Sequence, residues 1–121
     1  MKRVYFLLAV TLIVLPVSVG QAQDAQDAIT VFAGTGVAGF SGDGGPATQA
    51  ALEYPKGIVV DSNNNVYVAV SGRIRRISSS GIIATIAGSD NGGWYFAGDD
   101  NRPATEARLG FVEDVAVDVF G

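Results

Sequence analysis

Chemistry in this chain would fall to two glycine-rich loops, one arginine-rich segment and two recurring aspartates. Asp43 in the first loop, and Asp99 and Asp100 in the second, are hard oxygen donors on flexible backbone, the kind of ligand that calcium takes. Their spacing fits neither a helix–loop–helix calcium site nor a nonapeptide repeat. One carboxylate recurring per loop is a thin shell, so turn chemistry is expected and no metal site. Asp61 and Asp118 each close a short apolar segment. They read as catalytic carboxylates or as turn caps bonded to their own backbone. Their recurrence favours the cap, because a structural role repeats in every copy and a catalytic one does not. Arg73, Arg75 and Arg76 could grip an anion, or form a solvated face that protects a sheet edge. The solvated face is expected, with Arg73 and Arg75 kept as candidate partner contacts. Trp94 and Tyr95 supply rigid amphipathic area of the kind found at binding hot spots, and a protein or a saccharide would suit them. The chain has no histidine and no cysteine. The commonest general base, the commonest transition-metal ligand and all thiol chemistry are therefore missing, and no catalytic or cofactor-binding residue is assigned. Gly42 to Gly45 is no phosphate loop: proline follows, without Lys-Ser/Thr or a long helix.

These residues sit in an internal repeat. Pro46-Ala47-Thr48 returns as Pro103-Ala104-Thr105, Leu52 as Leu109 and Asp61 as Asp118, all at one common offset. Ala33-Gly34 returns as Ala87-Gly88 at a shorter offset, and Phe40 and Asp43 return as Phe96 and Asp99 at an intermediate one. The second loop thus carries three extra residues, two of them before Phe96. Phe96 matches Phe40 and is expected to be structural, whereas Trp94 and Tyr95 have no counterpart.

Around the repeat the chain is plain. Lys2 and Arg3 precede an uncharged apolar run from Val4 to Val19, and Gly20-Gln21-Ala22 follows. That order reads as a cleaved secretory signal over residues 1–22, which predicts secretion or a periplasmic home and no membrane span after cleavage. Cleavage would remove two of eight basic residues and none of the twelve acidic ones, leaving six against twelve, or −6. An acidic surface argues against nucleic acid. Residues 23–28 read as a flexible lead-in and residues 29–121 as the folded segment.

Short apolar stretches punctuated by turn residues predict an all-β meander. Strands are expected over Ala28 to Ala33, Gly57 to Asp61, Val66 to Val70, Arg73 to Ile77 and Ile82 to Ala87, with one helical turn in Ala47 to Leu52. Ile58-Val59-Val60 and Val66 to Val70 do not alternate with polar residues, so both faces of these strands call for burial. The arginine-bearing third strand suits an outer position. A four-stranded sheet covered on both faces by copies of itself is a propeller blade.

The chain resembles NHL-repeat β-propeller proteins, on three segments. They are Ala33-Gly34-Thr35-Gly36 through Pro46-Ala47-Thr48, Tyr54 to Asp61, and Asn65-Val66-Tyr67-Val68-Ala69 with Arg73-Ile74-Arg75. The likeness extends to the exported bacterial subset with long glycine loops. It departs from the pattern at Val70, which replaces an aspartate, and at Asp114, where the first copy has Gly57. The resemblance implies one complete blade at about 57–87, flanking strands, and an incomplete propeller. The text breaks off inside a turn at Gly121, so a fragment is expected, with the gene continuing as Asn and then a Val/Tyr-rich strand. One blade buries too little surface to hold alone, and its edges are open, so self-association is expected if the chain ends there. The function implied is non-enzymatic binding or scaffolding without a cofactor. The alternative is a fragment of a lyase- or lactonase-type propeller enzyme whose site lies in other blades.

Overall fold

A computed structural model describes residues 5–8, 11–14, 28–89 and 100–120. Seven strands form two antiparallel sheets. β1 (Tyr5–Leu8), β2 (Thr11–Val14) and β3 (Thr30–Ala33) make the first, in that order. β4 (Ile58–Val60), β5 (Val66–Val70), β6 (Arg73–Ile77) and β7 (Ile83–Ala87) make the second, a four-stranded meander. The propeller-blade fold class expected from the sequence is the fold observed.

Turn chemistry sets the second sheet. Asp61 and Asn65 bracket the β4–β5 hairpin, with Asn64 in the left-handed region at φ 63°. Asparagine tolerates that conformation because its short amide bonds locally. Gly72, at φ 65°, makes the two-residue β5–β6 turn. Ser78 closes the β6–β7 connection, its backbone N–H donating to the Ile82 carbonyl at 2.8 Å. The core beneath joins Leu52, Val66, Val68, Val70, Ile77 and Ile83 to Ala33, Ala47 and Ala50.

The first glycine loop is bound to the sheet rather than projecting from it. Gly44 N–H donates to the Ile83 carbonyl at 2.8 Å, Ile83 N–H to the Gly45 carbonyl at 3.0 Å, and Ala47 N–H to the Gly81 carbonyl at 2.8 Å. The loop thus occupies the outer edge of β7, which would otherwise be open to pairing. A single 3-10 turn, Ala47–Gln49, follows and buries Ala47. The second copy reproduces this anchoring. Gly34 N–H donates to the Ala47 carbonyl at 2.9 Å, and Gly88 N–H to the Ala104 carbonyl at 2.9 Å. Asn101, the equivalent of Gly44 in the second copy, takes the same left-handed backbone, φ 67° against 82°.

Three expectations change. One flanking strand was expected before the complete blade, and three are present: β1 and β2 lie inside the apolar run read as a leader. β4 is half-buried along its length rather than sealed on both faces. Glu113 to Asp118 forms no strand: among the described residues no ladder partner lies beside it. Asp114 instead packs against Gly57, just before β4, where an added Cβ would meet Asp114 Cα at 2.6 Å. Lys56 Nζ reaches the Glu113 carboxylate at the same place. Lys56 and Glu113 are equivalent positions of the two copies, so the repeats stand side by side at their first strands.

Candidate functional site

The arginines of β6 are placed opposite to expectation. A solvated face was expected, yet Arg75 is 0% exposed and Arg73 8%; only Arg76 is open. β6 is also an interior strand, flanked by β5 and β7. Alternation along it sends Arg73, Arg75 and Ile77 to one face, and the first glycine loop covers that face. Arg75 is the centre of the contact. Its Nη2 donates to the Ser41 carbonyl at 2.9 Å and to Asp43 Oδ1 at 2.8 Å, and its Nη1 to the Ala51 carbonyl at 3.4 Å. Phe40 lies against both cations, its ring centroid 4.0 Å from Arg73 Cζ and 4.8 Å from Arg75 Cζ. A planar fork can serve several acceptors at once, which is why arginine suits a loop of otherwise unmatched carbonyls. Asp43 is therefore an ion-pair partner rather than a simple turn residue.

Beside this cluster a cleft of about 220 Å³ is lined by Phe40, Asp43, Arg73, Thr85, Gly88, Ser89 and Thr105. It lies where the first loop, β7 and the second copy meet. The hydroxyls of Thr85 and Ser89 are buried there and find no hydrogen-bond partner among the described residues. The lining offers a cation, a carboxylate, an aromatic face and hydroxyls, a set that recognises polar groups but holds no nucleophile beside a base. Among the described residues no three His, Cys, Asp or Glu converge as a metal site.

Asp61 does what its recurrence implied. Its Oδ1 accepts from the backbone N–H groups of Asn63 and Asn65, both at 2.8 Å. Its Oδ2 accepts from the Asn65 side-chain amide at 2.8 Å and from the Tyr67 hydroxyl at 3.1 Å. The Asn65 amide above all holds the Asp61 carboxyl below its usual range, against a smaller opposing effect of burial. Burial, then the bond to Asp61, pushes the Tyr67 hydroxyl up. Asp118 is exposed and repeats the first of these bonds, accepting from Phe120 N–H at 2.8 Å.

Trp94, Tyr95, Phe96 and Asp99 lie outside the described residues. Sequence reasoning missed the Phe40–Asp43–Arg75 cluster. The signal was available: Phe40 and Asp43 recur together at one offset, and an arginine alternating with buried aliphatics in a two-sided sheet needs an acceptor.

Known proteins agree with this architecture. The family described as "Teneurin NHL domain" matches residues 10–118. Mouse Teneurin-3 is 32% identical over 110 residues, covering 84% of this chain and 4% of that protein. Zebrafish (Danio rerio) Teneurin-3 is 37% identical over 78 residues, 63% of this chain and 3% of that protein. Human Teneurin-4 is 48% identical over 50 residues, 41% of this chain and 2% of that protein. The chain thus spans only 3–4% of the length of the first two relatives. Two expectations fall. The likeness to an exported bacterial subset is not supported, since these relatives are animal proteins. The secreted or periplasmic placement is overturned too, because the relatives matched are animal teneurins. Matched along nearly its whole length and folded as NHL repeats fold, the chain belongs to the teneurin NHL domain family.

Proposed function

We infer that this segment is a non-enzymatic protein-interaction part of an NHL propeller. The family match over residues 10–118 is the observation that carries the reading. The two glycine loops present the contact surface, and the β6 arginines hold the first of them in shape. Arg75, fully buried, acts as a brace; Arg73, with Phe40, forms one wall of the cleft. Trp94 and Tyr95, inserted only in the second loop, supply the aromatic contact, and a protein is the partner class favoured over a saccharide. Binding of the whole chain to parallel arrays of extracellular protein domains and of glycans tests this. Saturable binding to a protein, reduced at least about tenfold by Trp94→Ala with Tyr95→Ala while circular dichroism stays unchanged, is expected. Unchanged binding by that variant would remove the aromatic site. Turnover of uronate or lactone substrates by the chain would overturn the non-enzymatic reading.

A further inference from the structure

The cleft at the junction of the two copies holds hydrogen-bonding capacity that the fold itself does not use. Thr85 pairs with Arg75 across the β6–β7 ladder, so its side chain stands on the face that the first glycine loop covers. The Thr85 and Ser89 hydroxyls are buried in the cleft wall without a partner among the described residues. Each is a donor and an acceptor, with a hydrogen that rotates toward an arriving group. Asp43, in the same lining, binds Arg75 through Oδ1 at 2.8 Å, and its Oδ2 accepts no hydrogen bond among the described residues. Its side chain is 40% exposed, so that second oxygen is open to a donor. Buried polar groups are almost always matched, so an unmatched set around one cavity calls for a partner. The set is not part of the repeat. Ala33-Gly34 corresponds to Ala87-Gly88, which puts Val31 where Thr85 stands. A hydroxyl that merely held the copies together would recur, and this one does not.

Charge narrows the ligand. A cation would meet Arg73 in the lining and Arg75 beside it, 4.0 and 4.8 Å from the Phe40 ring centroid. An anion would meet the open oxygen of Asp43, in a chain of net charge −4. A neutral group that both donates and accepts fits, and a primary amide carries two N–H donors beside a carbonyl acceptor. Its N–H would serve Asp43 Oδ2, and its carbonyl the Thr85 and Ser89 hydroxyls. The cleft volume of about 220 Å³ lies below the ~300–1,000 Å³ of pockets for whole small molecules, which suits one side chain. We propose that this cleft recognises a primary-amide side chain of the partner protein, an inference that rests on the protein-binding reading above. Glutamine suits it better than asparagine, because the two hydroxyls are buried and the longer side chain reaches further.

Titration of the isotope-labelled whole chain with a capped Gly-Gln-Gly peptide, closed by an N-methylamide and followed by backbone amide NMR shifts, tests this. Counterparts with Met or Glu in the centre keep the side-chain length and lack the amide; methyl glucoside represents saccharides. Saturable shifts at Thr85, Gly88, Ser89 and Thr105 are expected with the Gln peptide, and binding at least about tenfold weaker with the other three probes. Thr85→Val keeps the shape and removes the hydroxyl. It should weaken the Gln peptide about fivefold while the melting temperature holds or rises, because an unmatched buried hydroxyl is lost. A purely structural hydroxyl would lower the melting temperature instead. Equal affinity for the Gln and Met peptides would overturn the proposal. So would tighter binding of the Glu peptide or methyl glucoside than of the Gln peptide, or wild-type affinity in the Thr85→Val chain. The two readings fail separately. A protein captured on the arrays whose binding ignores Thr85→Val contradicts the cleft assignment alone. A chain that captures no protein yet binds the Gln peptide contradicts the partner reading alone.

Discussion

Replacing Arg75 with methionine should unfold the first glycine loop from the blade at a cost of about 2–4 kcal/mol. Methionine keeps the aliphatic bulk, so the change isolates the guanidinium. Two bonds of 2.8 and 2.9 Å disappear, to Asp43 Oδ1 and the Ser41 carbonyl. A hydrogen bond to a charged group contributes about 1.5–3 kcal/mol net, and a carbonyl left unmet adds to the loss. The Asp43 share is discounted to about 1 kcal/mol, because that side chain is 40% exposed and rehydrates when released. With an m-value of about 1–3 kcal/mol per molar urea, the unfolding midpoint should fall by about 1–4 M. Hydrogen exchange should rise most across Gly34 to Ala51. Lysine at position 75 should restore less than half of the loss, since a point charge cannot serve two divergent acceptors. Methionine at the exposed Arg76 should change stability by less than about 0.5 kcal/mol. If the Arg75 and Arg76 variants unfold at the same urea concentration, the buried arginine does not hold the loop and the account of the cluster is wrong.

Asp61 has a lowered folded-state value, so its contribution is present above its unfolded value, near ~3.9, and is lost as pH falls through the lower folded one. Asp61→Asn should flatten the acid limb of a pH–stability curve; an unchanged limb would contradict its bonding role. Tyr67 has the opposite sense: its raised value gives stability present below about pH 10 and lost as pH climbs through the folded value, a loss that Tyr67→Phe should abolish in alkaline melts. Gly57→Ala should destabilise by about 1–3 kcal/mol and free Glu113 to Asp118 for exchange, since its Cβ would meet the backbone Cα of Asp114 at 2.6 Å. Wild-type exchange rates in that segment would contradict the side-by-side placement of the copies. Gly42→Ala, at φ 90° and 2.8 Å from Ala50 Cβ, should cost at least about 1 kcal/mol in a thermal melt.

The complete blade was legible because its signals are local. Asn63, Asn64, Ser71, Gly72 and Gly81 mark the turns, and the strands between them fall within one residue of their sequence-derived limits. The N-terminal strands were not, for a physical reason. A blade strand covered on both faces is a continuous apolar run, and Val4 to Val19 therefore carries the same pattern as a secretory leader. Arg75 was misread because a charge on a strand usually marks solvent, and its acceptors lie far off along the chain, in a loop without regular structure. Glu113 to Asp118 has strand composition without strand structure, since a ladder needs a neighbour as well as a propensity. The paired aspartates succeeded because recurrence is itself evidence of a structural role.

Hydrogen exchange read residue by residue, with the intact mass of the purified chain, tests the central claim most directly. If residues 5–14 belong to a propeller blade, the mass retains them, and the amides of Tyr5–Leu8 and Thr11–Val14 exchange as slowly as those of Val66–Val70 and Arg73–Ile77. A mass beginning at Gln23, or unprotected amides in β1 and β2 beside a protected second sheet, would contradict a two-blade NHL segment.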